Sequence, residues 1–169
     1  MADSSNYRVK KRRRRDQETD YQNRLSLLKN GKPRAVVRTS NQHTRVQISE
    51  FEREGDRNTA QTVSKQLEEF GWDHSTGNLP AAYLTGFLAG MKADTDKAVL
   101  DTGLRSIKAG GRTFAAVQGL NDAGVHVPVG EQMVPEEGRL HGEHIEEMKD
   151  VEISDDVESV KESIEGELQ

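Results

Sequence analysis

The chain has 169 residues, 33% of them apolar and 31% charged, with a formal net charge of −5 and no cysteine. That length accommodates one domain of about 100–150 residues plus tails. The missing cysteines exclude a disulfide framework, a thiolate nucleophile and any Cys-based zinc or iron–sulfur site. The charge is sorted along the chain and not mixed. Residues 1–130 carry 21 Lys and Arg against 15 Asp and Glu, whereas residues 131–169 carry 3 against 14.

The most basic stretch comes first. Seven of the eight residues from Arg8 to Arg15 are Lys or Arg. Such an arm repels itself when free and calls for a polyanion, of which nucleic acid is the leading candidate. A nuclear-localisation signal, a heparin site or a solvated charge run are the blander readings. No apolar run follows the arm, so it does not read as a secretory signal. Residues 1–18 have almost no apolar content and are expected to be disordered until bound.

Thr19-Asp20-Tyr21-Gln22 reads as a capping box opening the first helix, with Tyr21, Leu25 and Leu28 on one face and Asn30-Gly31 as its stop. Tyr21 is expected chiefly as a core anchor. Arg34 to Ser40 reads as a strand centred on Ala35-Val36-Val37. Val46 and Ile48 alternate with Arg45 and Gln47 in a returning second strand, and Asn58 to Ser64 is a third. Leu67 and Phe70 fall in a short helix that Gly71 ends.

Asn78 caps a helix running to Lys92, with Pro80 in its first turn. This segment is apolar on most faces, which places it in the interior, and Gly86 and Gly90 allow a close backbone approach. It is too short and interrupted to span a bilayer. Ala98-Val99-Leu100 reads as a buried strand ending at Asp101. A helix carrying Phe114, Val117 and Leu120 follows Gly110-Gly111 and ends at Gly124. Val125, Val127 and Val129 alternate as an edge strand beside Pro128, and a last helix runs from Arg139 to Lys149. The expected fold is a three-layer α/β domain with a mixed sheet, three antiparallel strands followed by αβαβ units.

Three constellations compete for a chemical role. The βββαβα order resembles the ribonuclease-H-like superfold, but the two-metal chemistry of its nucleases needs clustered carboxylates. The first strand carries Arg34 and Arg38 and no acid, leaving Asp101 alone. His126, His141 and His144 lack the spacing of a zinc motif and read as surface or core-edge histidines. Ala109-Gly110-Gly111-Arg112-Thr113 precedes a helix N-terminus that favours anions, yet it is neither a Walker loop nor GxGxxG. No cofactor and no catalysis are expected.

Tyr7-Arg8-Val9-Lys10-Lys11-Arg12-Arg13-Arg14, Thr19-Asp20-Tyr21, Arg24-Leu25, Lys32-Pro33-Arg34 and Val36-Val37-Arg38 resemble the start of an archaeal-type large-subunit ribosomal protein family. It is the eighteenth in the large-subunit series, the 5S rRNA-binding family. Thr76-Gly77-Asn78-Leu79-Pro80-Ala81-Ala82-Tyr83-Leu84-Thr85-Gly86, Ala98-Val99-Leu100-Asp101, Asp122-Ala123-Gly124 and Gly142-Glu143-His144-Ile145 continue the resemblance, which covers about residues 7–148. It implies a structural constituent of the large subunit that attaches 5S rRNA to large-subunit rRNA. Its neighbours would be other ribosomal proteins of the central protuberance, and its location cytoplasmic and ribosome-bound. The division is then a basic RNA-binding arm (1–18), a ribosomal α/β domain (19–149) and an acidic tail (150–169). The alternative is a non-ribosomal RNA-binding or assembly module.

Arg8, Lys10, Lys11, Arg12, Arg13, Arg14 and Arg15 would neutralise phosphates, with Arg24, Arg34, Arg38, Asn41 and His43 extending that surface. Tyr7 and Tyr21 are candidates to stack on bases. In the tail, outside the shared blocks, Val151, Ile153, Val157, Val160 and Ile164 leave a short amphipathic helix open, but with so little apolar surface the tail is expected to be unstructured and dispensable for folding and RNA binding.

Overall fold

The computed structural model describes residues 8–149 and 153–168. Tyr7 and Val151 lie outside the described residues. The arm forms a single helical turn, α1 (Arg12–Arg15), and then α2 (Tyr21–Leu28). Strands β1 (Arg34–Thr39), β2 (Thr44–Glu50) and β3 (Arg57–Val63) follow as an antiparallel set. A 3-10 turn (Ser64–Phe70) leads to α3 (Leu79–Met91), β4 (Val99–Asp101) and α4 (Arg112–Asp122). The chain continues as α5 (Glu137–His141), α6 (Glu143–Lys149) and α7 (Ser154–Leu168).

The architecture is α/β, with a mixed four-stranded sheet of order β3-β2-β1-β4 flanked by helices. β4 joins β1 in parallel. Side chains alternate across a sheet, so one face carries Ala35, Val37, Val46 and Ile48, all at most 2% exposed. They pack under α3 and α4 with Ala89, Ala116, Val117 and Leu120. The opposite face carries Arg34, Val36, Arg38, Arg45 and Gln47, and α2 lies on that side.

Helix α3 is buried from Leu79 to Gly90. Asn78 Oδ1 accepts from the Ala81 amide at 2.8 Å, the cap its sequence announces. Its crossing with α4 is unusually close. A Cβ on Gly86 would lie 2.0 Å from the Ala116 carbonyl oxygen, and one on Gly119 would lie 2.1 Å from that of Tyr83. The far side of α3 meets a second apolar cluster contributed by Leu67, Trp72, Leu140 and the final helix.

Several expectations are corrected. Asp20, not Thr19, caps α2, its carboxylate accepting from the amides of Gln22 and Asn23 at 3.0 and 3.4 Å. α2 buries none of its residues, and Tyr21 is 39% exposed instead of anchoring a core. Residues 125–129 form no strand beyond one parallel bridge, Lys97 to His126. The Val127 amide is taken by Asn121 Oδ1 at 2.7 Å and Pro128 has no N–H, so the ladder stops. The last helix of the domain is two helices, broken at Gly142 with φ +96°.

The largest correction is at the C-terminal end, where α7 takes the place of the expected unstructured tail. Ile153, Val157, Val160 and Ile164 recur at helical spacing and are at most 2% exposed against the outer side of α3. Glu146 Oε1 accepts from the amides of Ile153 and Ser154, both at 2.7 Å, and from the Ser154 hydroxyl at 2.6 Å. These bonds hold the Glu146 carboxyl below its usual range and place a negative charge at the start of α7, where the helix dipole favours it.

Candidate nucleic-acid interface

The arm presents its cations outward. Arg12, Arg13 and Arg15 are exposed and Arg14 is half-buried. Lys11 caps the turn through its backbone, and its ammonium lies 5.0 Å above the Tyr21 ring. Arg12, Arg13 and Arg14 meet Asp16, Glu18 and Asp20 at 3.9, 3.4 and 2.6 Å. The Arg14 hydrogen bond, reinforced by two backbone amides, holds the Asp20 carboxyl below its ordinary value. Exposed pairs of this kind contribute little, so a phosphate can replace the carboxylate at small cost. Arg8, Lys10 and Arg15 have no carboxylate partner among the described residues.

Behind the arm, the polar face of the sheet holds an ionic row. Arg34 donates to Asp101 Oδ2 at 2.7 Å and also bonds Asp56 Oδ2. Arg24 reaches the same Asp56 oxygen at 2.7 Å. Arg38 donates to the Asp101 carbonyl at 2.6 Å and to Asp101 Oδ1 at 3.1 Å, where the Gly103 amide also donates at 2.8 Å. Burial pushes the Asp101 carboxyl upward. The Arg38 charge and the bonds from Arg38, Arg34 and Gly103 outweigh it, and the group stays below its usual range.

One residue of the expected interface, Arg34, is withdrawn from solvent. Arg34 is 4% exposed. Its guanidinium answers two carboxylates, Asp101 and Asp56, within the protein. Arg24 and Arg38 remain partly exposed, at 41% and 39% of their side chains, but each is already paired. Asn41 is exposed at the β1–β2 turn. His43 is half-buried, its Nδ1 within 3.1 Å of Thr76 Oγ1 and 3.4 Å of Ser64 Oγ, which ties the turn to the loop before α3.

Sequence reasoning passed over Arg45 and Arg105. Arg45 stands directly opposite Arg38 in the β1–β2 register and is exposed. Like charges facing each other across strands are unfavourable without a counterion, and the alternation of Arg45 and Gln47 on the solvent side was the available signal. Arg105 donates to Thr39 Oγ1 at 3.2 Å from an exposed loop that borders the arm through Leu104.

The other constellations are engaged in structure. The Asp101 carboxylate is answered by two guanidinium groups. The amides of Gly110 and Gly111 donate to the carbonyls of Met133 and Lys108 at 2.9 and 3.2 Å, and Arg112 donates to the Gly77 carbonyl at 3.0 Å. Among the described residues no group of three or more His, Asp or Glu side chains is placed to hold a metal ion.

Replacing Asp101 with Asn is expected to destabilise the fold by about 2–3 kcal/mol. That is below the roughly 3–5 kcal/mol for breaking a fully buried pair, because Arg34 keeps Asp56 and Arg38 is half in water. A carboxyl held low when folded stabilises above its unfolded pKa of about 3.9 and loses that contribution as pH falls through the folded value. Melts of both proteins from pH 7 to 3 should therefore differ by a constant amount down to about pH 4 and converge below it. A constant gap at pH 3 would contradict the assignment.

Arm, polar face and acidic α7 are spatially sorted: cations gather on the open side of the sheet, and α7 packs beyond α3 on the other. The class this defines is an α/β protein polarised in charge, its basic arm and its acidic final helix set apart. Residues 5–96 match the family described as ribosomal large subunit proteins 60S L5, and 50S L18. The large ribosomal subunit protein uL18 of Korarchaeum cryptofilum is 49% identical over 148 residues, covering 86% of this chain and 76% of that protein. Its counterpart in Halorubrum lacusprofundi is 48% identical over 148 residues, 86% and 80% of the two chains. That of Natronomonas pharaonis is 43% identical over 184 residues, covering 99% of this chain and 100% of that protein, so the match continues through α7. The chain belongs to this family of large-subunit ribosomal proteins, which are structural and not enzymes.

Proposed function

We propose that this structural constituent of the large ribosomal subunit binds 5S rRNA through the arm and the open side of the sheet. In this reading it attaches 5S rRNA to large-subunit rRNA beside other proteins of the central protuberance, ribosome-bound in the cytoplasm. The observation that carries the reading is the run Arg8–Arg15, exposed at every residue but the half-buried Arg14, on a domain whose remaining charge is acidic. Each phosphate neutralised releases condensed counterions, which supplies affinity without base readout. Shape and ribose hydroxyls then select the RNA. The acidic α7, repelled by phosphate, sets which side of the protein faces it.

The test is a titration of 5S rRNA at several salt concentrations with the wild type and with Arg12–Arg15 replaced by Ala. The wild type is expected to prefer 5S rRNA over an unrelated structured RNA. The variant should bind more weakly, its log–log salt slope shallower by roughly 0.7–0.9 for each phosphate no longer neutralised, and by about 3 if all four arginines meet phosphate. An unchanged slope removes the arm from the interface.

A further inference from the structure

Helix α2, which carries the arm, has no fully buried apolar anchor. Of its three leucines, Leu25 is 58% exposed and Leu27 and Leu28 are only half-buried. A helix this short does not persist in water on its own, so its position depends on what ties it down. At its start, Arg14 bonds the capping residue Asp20, which joins the arm to the helix. In its middle, Arg24 bonds Asp56 Oδ2, the same oxygen that Arg34 of β1 grips. Asp56 lies in the loop between β2 and β3, and Arg34 is fixed from its other side by Asp101. One carboxylate therefore couples a marginal helix to a buried strand.

We infer that Asp56 is a positioning residue for RNA binding, docking α2 on the sheet and fixing the direction of the arm before RNA arrives. This rests on the reading that the arm binds 5S rRNA. A preset arm binds more tightly because less ordering remains to be done when RNA arrives. The sign of the effect separates this role from simple electrostatics. A carboxylate near phosphates repels them, so neutralising it should strengthen binding. Losing a positioning group should weaken it.

The experiment compares full-length wild type, Asp56→Asn and Arg24→Gln by amide hydrogen exchange without RNA, and the first two by titration with 5S rRNA. Exchange protection over residues 21–28 should fall in both variants while that of β1 and β2 persists. If the docked fraction drops to about a tenth, the apparent Kd of Asp56→Asn rises about tenfold, with an unchanged salt slope because the arm keeps its cations. Equal or tighter binding by Asp56→Asn would overturn the proposal. So would unchanged protection at 21–28 in Arg24→Gln, which leaves Arg34 both of its carboxylates and guards against a misfolded Asp56→Asn. A wild type that fails to bind 5S rRNA would instead reject the functional reading, and the exchange data would still decide what docks α2.

Discussion

Deleting residues 151–169 is expected to remove the cooperative thermal transition, or to lower its midpoint by well over 10 °C. Ile153, Val157, Val160 and Ile164 are at most 2% exposed, and burial of each such side chain stabilises by about 1.5–3 kcal/mol. The loss is two-sided, because α7 shares one apolar cluster with Leu84, Phe87 and Leu88 of α3. Lys161 adds its ammonium 5.1 Å above the Phe87 ring. The sum approaches the roughly 5–15 kcal/mol that holds a domain folded, and each kcal/mol is worth about 2–4 °C at this size. A single substitution gives a graded version: Ile164→Ala should cost about 2–5 kcal/mol. Calorimetry of the three proteins measures both. A deletion variant that melts within a few degrees of the wild type would mean that α7 is a passenger on the surface.

Gly86→Ala and Gly119→Ala are each expected to destabilise by about 4 kcal/mol or more, among the largest effects a single methyl group can have. The added Cβ would lie 2.0 Å from the Ala116 carbonyl oxygen in one case and 2.1 Å from that of Tyr83 in the other. Both obstacles are backbone atoms inside helices, so no side-chain rotation relieves them. α3 cannot withdraw either, because apolar clusters pack on both of its sides. The gain in helix propensity from Gly to Ala, about 1 kcal/mol, is too small to offset this. Gly166→Ala is the control: nothing lies within 4 Å of its added Cβ, and it should stabilise α7 by about 0.5–1 kcal/mol. Urea titrations of the three variants give the ranking. Near-neutral values at Gly86 and Gly119 would refute the close helix crossing.

Both results bear on function through the same scaffold. In the proposed function the arm would act from a fixed point only while β1 stays seated under α3 and α4 and α2 stays tied to it. A variant that loosens either helix crossing should therefore weaken RNA binding at a temperature where the wild type is still folded, with the cations of the arm untouched.

Local rules settled most of the architecture. Alternation in Ala35–Val37 and Val46–Ile48, the Asn78 cap and the left-handed stop at Gly71 are interactions between near neighbours in the chain, so they are visible in one dimension. The charge of the arm is equally local. The resemblance to a ribosomal family was likewise carried by ordered blocks of residues, and the fold and the comparisons support it. What remained hidden depends on partners distant in sequence. The 153–157–160–164 spacing advertised an amphipathic helix, but only packing supplies the outer face of α3 that makes it stable. Thr19 reads as the cap in the sequence, and the structure uses Asp20 instead, whose second carboxylate oxygen also meets Arg14. Arg34 and Arg38 are alike in sequence and differ in fate. Asp101 comes from 67 residues beyond Arg34 and Asp56 from 22 beyond it, and together they bury the first guanidinium and leave the second half in water. Sequence determines which charges a strand carries; tertiary structure decides which of them are already neutralised, because desolvation and pairing are properties of the assembled face.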